Sequence, residues 1–145
     1  MRDAVAKAIV DADALIMAAA PADFRPAQAA SRKIKKTERP ESIELVPTPD
    51  ILATTIAARR PGSVVVGFAL ETNDVVDNAR TKLAKKQLDL VVANDATEAG
   101  AGFGVDTNRV TLVGRDGGEE RLPLMPKREV ADVILDRVVR LLDGR

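Results

Sequence analysis

Val64-Val65-Val66-Gly67-Phe68-Ala69, a helical pattern from about Asp74 to Gln87, and Leu88-Asp89-Leu90-Val91-Val92-Ala93 ending in Asn94-Asp95 form the stretch that decides the fold. Each apolar run is short and almost unbroken, as in strands covered on both faces. The segment between them has another period. Val75, Val76, Ala79 and Leu83 gather on one face at about 100° per residue, the signature of an amphipathic helix. Strand, helix and strand without a hairpin turn make a parallel crossover. The chain is therefore expected to be α/β, built on a mainly parallel sheet.

Toward the N-terminus, Val5 and Ile9 among alanines predict a helix over residues 2–10, broken at Asp11 to Asp13. Leu15-Ile16-Met17 and the alanines to Ala20 predict a short buried strand. A helix followed by a strand reads as the tail of a βαβ unit, so a leading strand is expected upstream of Met1. From Pro21 to Pro40 the periodicity dissolves around the basic cluster Arg32-Lys33-Ile34-Lys35-Lys36, a long loop of the kind that is functional or disordered. Ser42 to Val46 alternates like a strand. Thr48-Pro49-Asp50 reads as a helix start, with Thr as N-cap, Pro in the first helical position and an acid in the first turn. That helix is expected to run through Ala58 and stop at Pro61-Gly62.

Toward the C-terminus, Arg109 to Val113 and Glu119 to Leu124 alternate on either side of Asp116-Gly117-Gly118, which predicts an antiparallel hairpin. The last helix, Lys127 to Leu142, sets Val130, Ile134, Val138 and Leu141 along one stripe. No repeat is visible, and the length of 145 residues suits one domain.

Composition narrows the chemistry. Lys and Arg together number 22, as do Asp and Glu, and aromatic residues make up 2%. That balance does not fit a nucleic-acid partner. No apolar run reaches the roughly 18 residues of a membrane span and no secretory pattern is present, so a cytoplasmic protein is expected. The chain has no Cys and no His. A thiol nucleophile, a Ser-His-Asp triad within the chain and the usual zinc sites are excluded. Carboxylates, ammonium and guanidinium groups, amides and hydroxyls remain, an inventory suited to Mg²⁺ and phosphate charge.

Four places carry candidate chemistry. On the amphipathic helix Lys86 falls roughly 20° and Lys82 roughly 60° from Ala79, while Lys85 points away. Their stems either snorkel to water near the helix C-terminus or form an i, i+4 clamp on one polyanion. Asp23 and Lys33 follow a buried strand, where ligands of open α/β sheets collect; ordinary solvated loop charges are the alternative. The Thr48 to Ile51 turn offers backbone N–H groups, and because Asp50 repels phosphate, a neutral nucleobase suits it better. An ordinary capped helix is the competing reading. Phe68, at the end of its strand, either packs in the core or lies against a base.

The order of these pieces is more specific than any one of them. Ala18-Ala19-Ala20-Pro21-Ala22-Asp23-Phe24-Arg25-Pro26 and Lys33-Ile34-Lys35-Lys36 come first, then Thr48-Pro49-Asp50-Ile51 and Gly67-Phe68-Ala69-Leu70-Glu71-Thr72. Ala79-Arg80-Thr81-Lys82, Leu88 through Asp95, and Phe103 through Asp106-Thr107-Asn108 complete the series. Over essentially the whole chain it resembles the phosphopantothenoylcysteine synthetase (phosphopantothenate–cysteine ligase) domain of bacterial bifunctional coenzyme A biosynthesis proteins.

The resemblance implies a Rossmann-like three-layer domain with a mainly parallel sheet and a C-terminal antiparallel hairpin. It implies a CTP-dependent acid–amino-acid ligase: the carboxylate of 4'-phosphopantothenate attacks the α-phosphate, and the amine of L-cysteine then displaces CMP from the acyl-cytidylate. Asp23 would contact ribose or Mg²⁺ and Lys33 the base edge. Thr48, Pro49, Asp50, Ile51 and Phe68 would frame the base, and Lys82 and Lys86 would take the phosphates. An ATP-using form of the ligase and a non-catalytic nucleotide-binding or dimerisation module are the alternatives. A homodimer joined through the 109–124 hairpin is implied, as is a flavin-dependent decarboxylase domain in the full-length protein, with no flavin in this portion. The family has Asn where this chain has Thr48 and Val where it has Pro21. Residues 1–145 correspond to the C-terminal portion of the ligase domain. The leading strand, the glycine-rich loop and the Asn that serves the acyl-cytidylate belong upstream, so this portion alone is expected to be inactive.

Overall fold

The computed structural model describes residues 1–33, 42–102 and 104–144. They form two compact units, Met1–Ala19 with Ile51–Arg145, and Ala20–Asp50. In chain order the elements are α1 (Arg2–Ala8), β1 (Ala14–Met17), β2 (Phe24–Pro26), β3 (Leu45–Pro47), α2 (Ile51–Thr54) with a 3-10 turn Ile56–Ala58, and β4 (Val64–Glu71). Then follow α3 (Val75–Lys85), β5 (Leu90–Asp95), β6 (Thr107–Asn108), β7 (Val110–Gly114), β8 (Glu119–Arg121), β9 (Met125–Pro126) and α4 (Lys127–Asp143).

The larger unit is a five-stranded sheet in the order β1-β4-β5-β7-β8. β4 runs parallel to β1, with Met17 opposite Gly67, and parallel to β5, with Phe68 opposite Val92. The predicted hairpin is present. Its turn places Gly117 at φ 83, a left-handed conformation that favours glycine. β7 also pairs antiparallel with β5, so the hairpin extends the parallel strands into a mixed sheet.

Alternation along β4 and β5 divides the core into two layers. Val65, Ala69, Val91 and Ala93 pack with Ile51, Leu52, Ala79 and Leu88 on the face covered by α2 and α3. Val64, Val66, Leu90 and Val92 pack with Val130, Ile134 and Val138 of α4 on the other. The outcome is the expected three-layer α/β architecture.

The end of α3 explains why β5 begins two residues later than the apolar run predicts. Leu88 N–H donates to the Leu83 carbonyl at 2.9 Å and Gln87 N–H to that of Ala84 at 3.2 Å, while Gln87 sits at φ 48. This is a Schellman closure with a non-glycine residue in the left-handed position. It carries Leu88 into the core at 0% exposure. Leu88 lies over Gly67, where an added Cβ would stand 2.7 Å from Leu88 Cδ1. Gly67→Ala is therefore expected to destabilise the unit by about 1–3 kcal/mol through overpacking, read as a lower urea midpoint at unchanged m-value.

Three local expectations are corrected. The helix expected from Thr48 through Ala58 starts at Ile51, and it breaks after Thr54 because the Thr55 hydroxyl turns back onto the Leu52 carbonyl at 3.0 Å. In the smaller unit, the stretch read as loop from Pro21 onward contains β2, paired antiparallel with β3, Phe24 opposite Pro47. Pro26 within it, Pro21 shortly before it and the lack of alternation hide it in the sequence. The strand expected at Ser42 to Val46 is β3, displaced to Leu45–Pro47. Ile34, Lys35, Lys36 and Phe103 lie outside the described residues. Among the described residues no helix is long and apolar enough to cross a membrane.

Candidate functional site

β1, β4 and β5 are parallel, so their carboxyl ends open on one edge of the larger unit, where α/β sheets bind ligands. Backbone direction then determines what is exposed there. Asp89 N–H bonds the Val65 carbonyl at 2.9 Å and Ala96 N–H the Glu71 carbonyl at 2.7 Å, so odd-numbered carbonyls of β4 face β5. Even-numbered carbonyls face β1, whose pairing ends at Met17 opposite Gly67. The Phe68 carbonyl therefore lies one residue beyond the last β1 partner, and the ammonium of Lys82 donates a hydrogen bond to it.

α3 returns antiparallel to the strands, and helical side chains lean toward their own N-terminus, here the strand exits. Lys82 and Lys86 are half-buried and Lys85 is exposed, the division the helical period predicts. Lys86 caps the C-terminus of α3, one turn below Lys82. Phe68 lies within β4, three residues before its end at Glu71, and not at the strand end that the apolar run predicts, because pairing with β5 carries β4 on to Glu71 opposite Asp95; its ring is half-buried and packs against the α4-side core. The Ile51 side chain is 5% exposed and belongs to the other layer, and its carbonyl accepts from Thr55 N–H and the Thr54 hydroxyl, which leaves the backbone N–H for any ligand contact.

Asp23, Lys33, Thr48, Pro49 and Asp50 belong to the smaller unit. Thr48 N–H donates to the Asp23 carbonyl at 2.8 Å, and the Thr48 hydroxyl donates to the Ala22 carbonyl. The hydroxyl is thus spent on tying the two strand ends together, and Thr48 is not the N-cap its sequence position predicts. Asp23 and Lys33 have exposed side chains. The structure brings Phe68 to Lys82 in one unit and Asp23 to Thr48 in the other. Among the described residues no three acidic side chains gather as a metal cage. One exposed carboxylate, Asp23, fits a Mg²⁺ that arrives on nucleotide phosphates and keeps most of its waters.

Two charged clusters escaped sequence reasoning. Asp89 is 4% exposed; its Oδ2 accepts from Val65 N–H at 2.7 Å, and Arg115 lies 3.4 Å from Oδ1. Arg59 donates to the carbonyls of Gln87 and Leu52 beside it. Burial lowers the pKa of that guanidinium, Asp89 opposes the shift and Arg115 adds to it; the group stays charged in water. A carboxylate inside an apolar run was the signal available for this cluster. The second is Glu98, which pairs with Arg109 and, at 3.2 Å, with Arg121. It borders a cavity of about 190 Å³ between α3 and the hairpin, with Asp95 on its wall. The Thr97 hydroxyl and N–H, at 2.6 and 2.8 Å, hold the Asp95 carboxyl below its usual pKa.

The chain is 43% identical over 141 residues to the coenzyme A biosynthesis bifunctional protein CoaBC of Bacillus subtilis (strain 168), an alignment covering 97% of this chain and 34% of that protein. It is 39% identical over 142 residues to a cysteine/cysteine sulfinic acid decarboxylase of an unknown prokaryotic organism, covering 98% of this chain and 40% of the relative. The chain thus spans between a third and two fifths of these relatives. The crystal structure of the C-terminal domain of CoaBC superposes with a TM-score of 0.78 at 33% identity, over 99% of this chain and 62% of that one. The family model for the DNA/pantothenate metabolism flavoprotein C-terminal domain matches residues 1–142. The chain belongs to the DNA/pantothenate metabolism flavoprotein C-terminal domain family.

Proposed function

We propose that this chain is the C-terminal portion of a phosphopantothenate–cysteine ligase domain and contributes its nucleotide site. In this reading 4'-phosphopantothenate is activated by CTP as an acyl-cytidylate with release of pyrophosphate. L-cysteine then attacks through its amine and CMP leaves. Lys82 and Lys86 hold the phosphates, Phe68 and the backbone of the 48–51 turn frame the base, Lys33 meets the base edge, and Asp23 meets ribose or a phosphate-bound Mg²⁺.

The observation that supports this reading is the Lys82 ammonium on the Phe68 carbonyl, just past the end of β1. A phosphate arriving beside β4 just past the end of β1 meets a cation already held there, and electrostatic help of this kind needs little reorganisation. Family membership supports the same assignment. A homodimer joined hairpin to hairpin suits β8, an exposed strand at the edge of the sheet. A cytoplasmic location and a flavin-dependent decarboxylase elsewhere in the full-length protein complete the proposal.

Isothermal titration of the native protein with CTP and ATP tests the nucleotide. CTP is expected to bind more tightly, and tighter ATP binding would overturn the CTP assignment. Pyrophosphate release that depends on both CTP and 4'-phosphopantothenate tests the ligase reading; none from the full-length protein leaves only a binding module.

A further inference from the structure

Arg59 lies just past the 3-10 turn that follows α2, and its guanidinium spans two helix ends. Its Nη2 donates to the Leu52 carbonyl at 2.8 Å and its Nη1 to the Gln87 carbonyl at 2.7 Å. Leu52 follows Ile51, the last residue of the base-framing turn. Gln87 follows Lys86, the second phosphate lysine. The same junction is packed below by Gly67, whose missing Cβ leaves room for Leu88 and Leu52. Arg59 Nε is buried without a hydrogen-bond partner among the described residues. That orphaned N–H is a cost, tolerated while the other two nitrogens are held. A planar fork can address two carbonyls at once, whereas an ammonium acts as a single point charge.

We propose that Arg59 is a positioning residue for nucleotide binding: by clamping the carbonyls of Leu52 and Gln87 it fixes the spacing between Ile51, at the start of α2, and the lysines of α3. The role rests on the nucleotide reading above and extends it to a residue that touches no ligand. A triphosphate must satisfy the Ile51 backbone and the lysines together. A monophosphate reaches Ile51 but gains little from the lysines. Loss of the clamp therefore penalises CTP more than CMP, whereas a merely structural role affects both alike.

The test is calorimetric titration of CTP and CMP into the native protein, Arg59→Gln and Arg59→Lys, each confirmed folded by circular dichroism at the working temperature. Arg59→Gln is expected to weaken CTP about tenfold and CMP by no more than about threefold, since a loosened support costs most where two contacts must align. Arg59→Lys is expected to fall between, reaching one carbonyl of the two. If Arg59→Gln does not fold, the CTP-to-CMP ratio of Arg59→Lys decides. An unchanged ratio in the folded variants overturns the positioning role and leaves the nucleotide reading intact. Wild-type protein that binds neither nucleotide overturns both.

Discussion

Asp89→Ala is expected to cost about 2–4 kcal/mol of stability, because the substitution leaves a buried donor and neighbouring cations without their partner. Asp89 closes a two-way exchange with Val65: its N–H gives to the Val65 carbonyl and its carboxylate takes the Val65 N–H at 2.7 Å. Alanine keeps the first bond and abolishes the second. It also removes the charge facing Arg115 at 3.4 Å, although that side chain is 56% exposed and water screens much of the pair. Asp89→Asn can still offer an oxygen to Val65, so it is expected to lose only about 1–2 kcal/mol. At the size of this chain the alanine variant should melt roughly 6–12 °C lower, checked by calorimetry. Equal losses for the two variants would mean that the charge, and not the hydrogen bond, dominates.

The second large effect falls on binding. Lys82→Ala is expected to weaken CTP about 30- to 100-fold, the scale of a lost charge-assisted contact to phosphate. Lys86→Ala is expected to cost less, about 5- to 10-fold, since it sits one turn farther from the strand exits. Both losses should shrink as salt rises and should be smaller for CMP. Lys82 also satisfies the Phe68 carbonyl, so its removal carries a separate stability cost of about 1 kcal/mol. Lys82→Met keeps most of the apolar stem and helps separate that cost from the phosphate contact. Affinity for CTP unchanged in both alanine variants would sink the clamp.

The parallel crossover was legible because apolar runs and a helical period are contiguous in the sequence. β4, α3 and β5 follow from the spacing of Val64–Ala69, Val75–Leu83 and Leu90–Ala93. The hairpin was legible from Asp116-Gly117-Gly118 between alternating segments. β2 was not, because Phe24-Arg25-Pro26 has no period of its own and exists by pairing with a segment some twenty residues away. The break in α2 was hidden too, since it depends on a threonine hydroxyl choosing a carbonyl over continued helix.

The candidate site divides the same way. Helical geometry predicted which lysines of α3 face inward, and their half-burial agrees. The partner of Lys82 was out of reach, since it depends on where β1 stops beside β4 and which way the Phe68 carbonyl points. Arg59 looked like one of two adjacent surface arginines; only the folded arrangement of Leu52 and Gln87 gives it work. Composition had already confined the chemistry to carboxylates, cations and backbone.

The most direct measurement is a structure of the native protein with CTP bound. Its β- and γ-phosphate oxygens are expected within hydrogen-bond reach of the Lys82 and Lys86 ammonium groups, beside β4 just past the end of β1. A triphosphate seated instead against Arg109 and Arg121, with both α3 lysines out of reach, would contradict the lysine clamp.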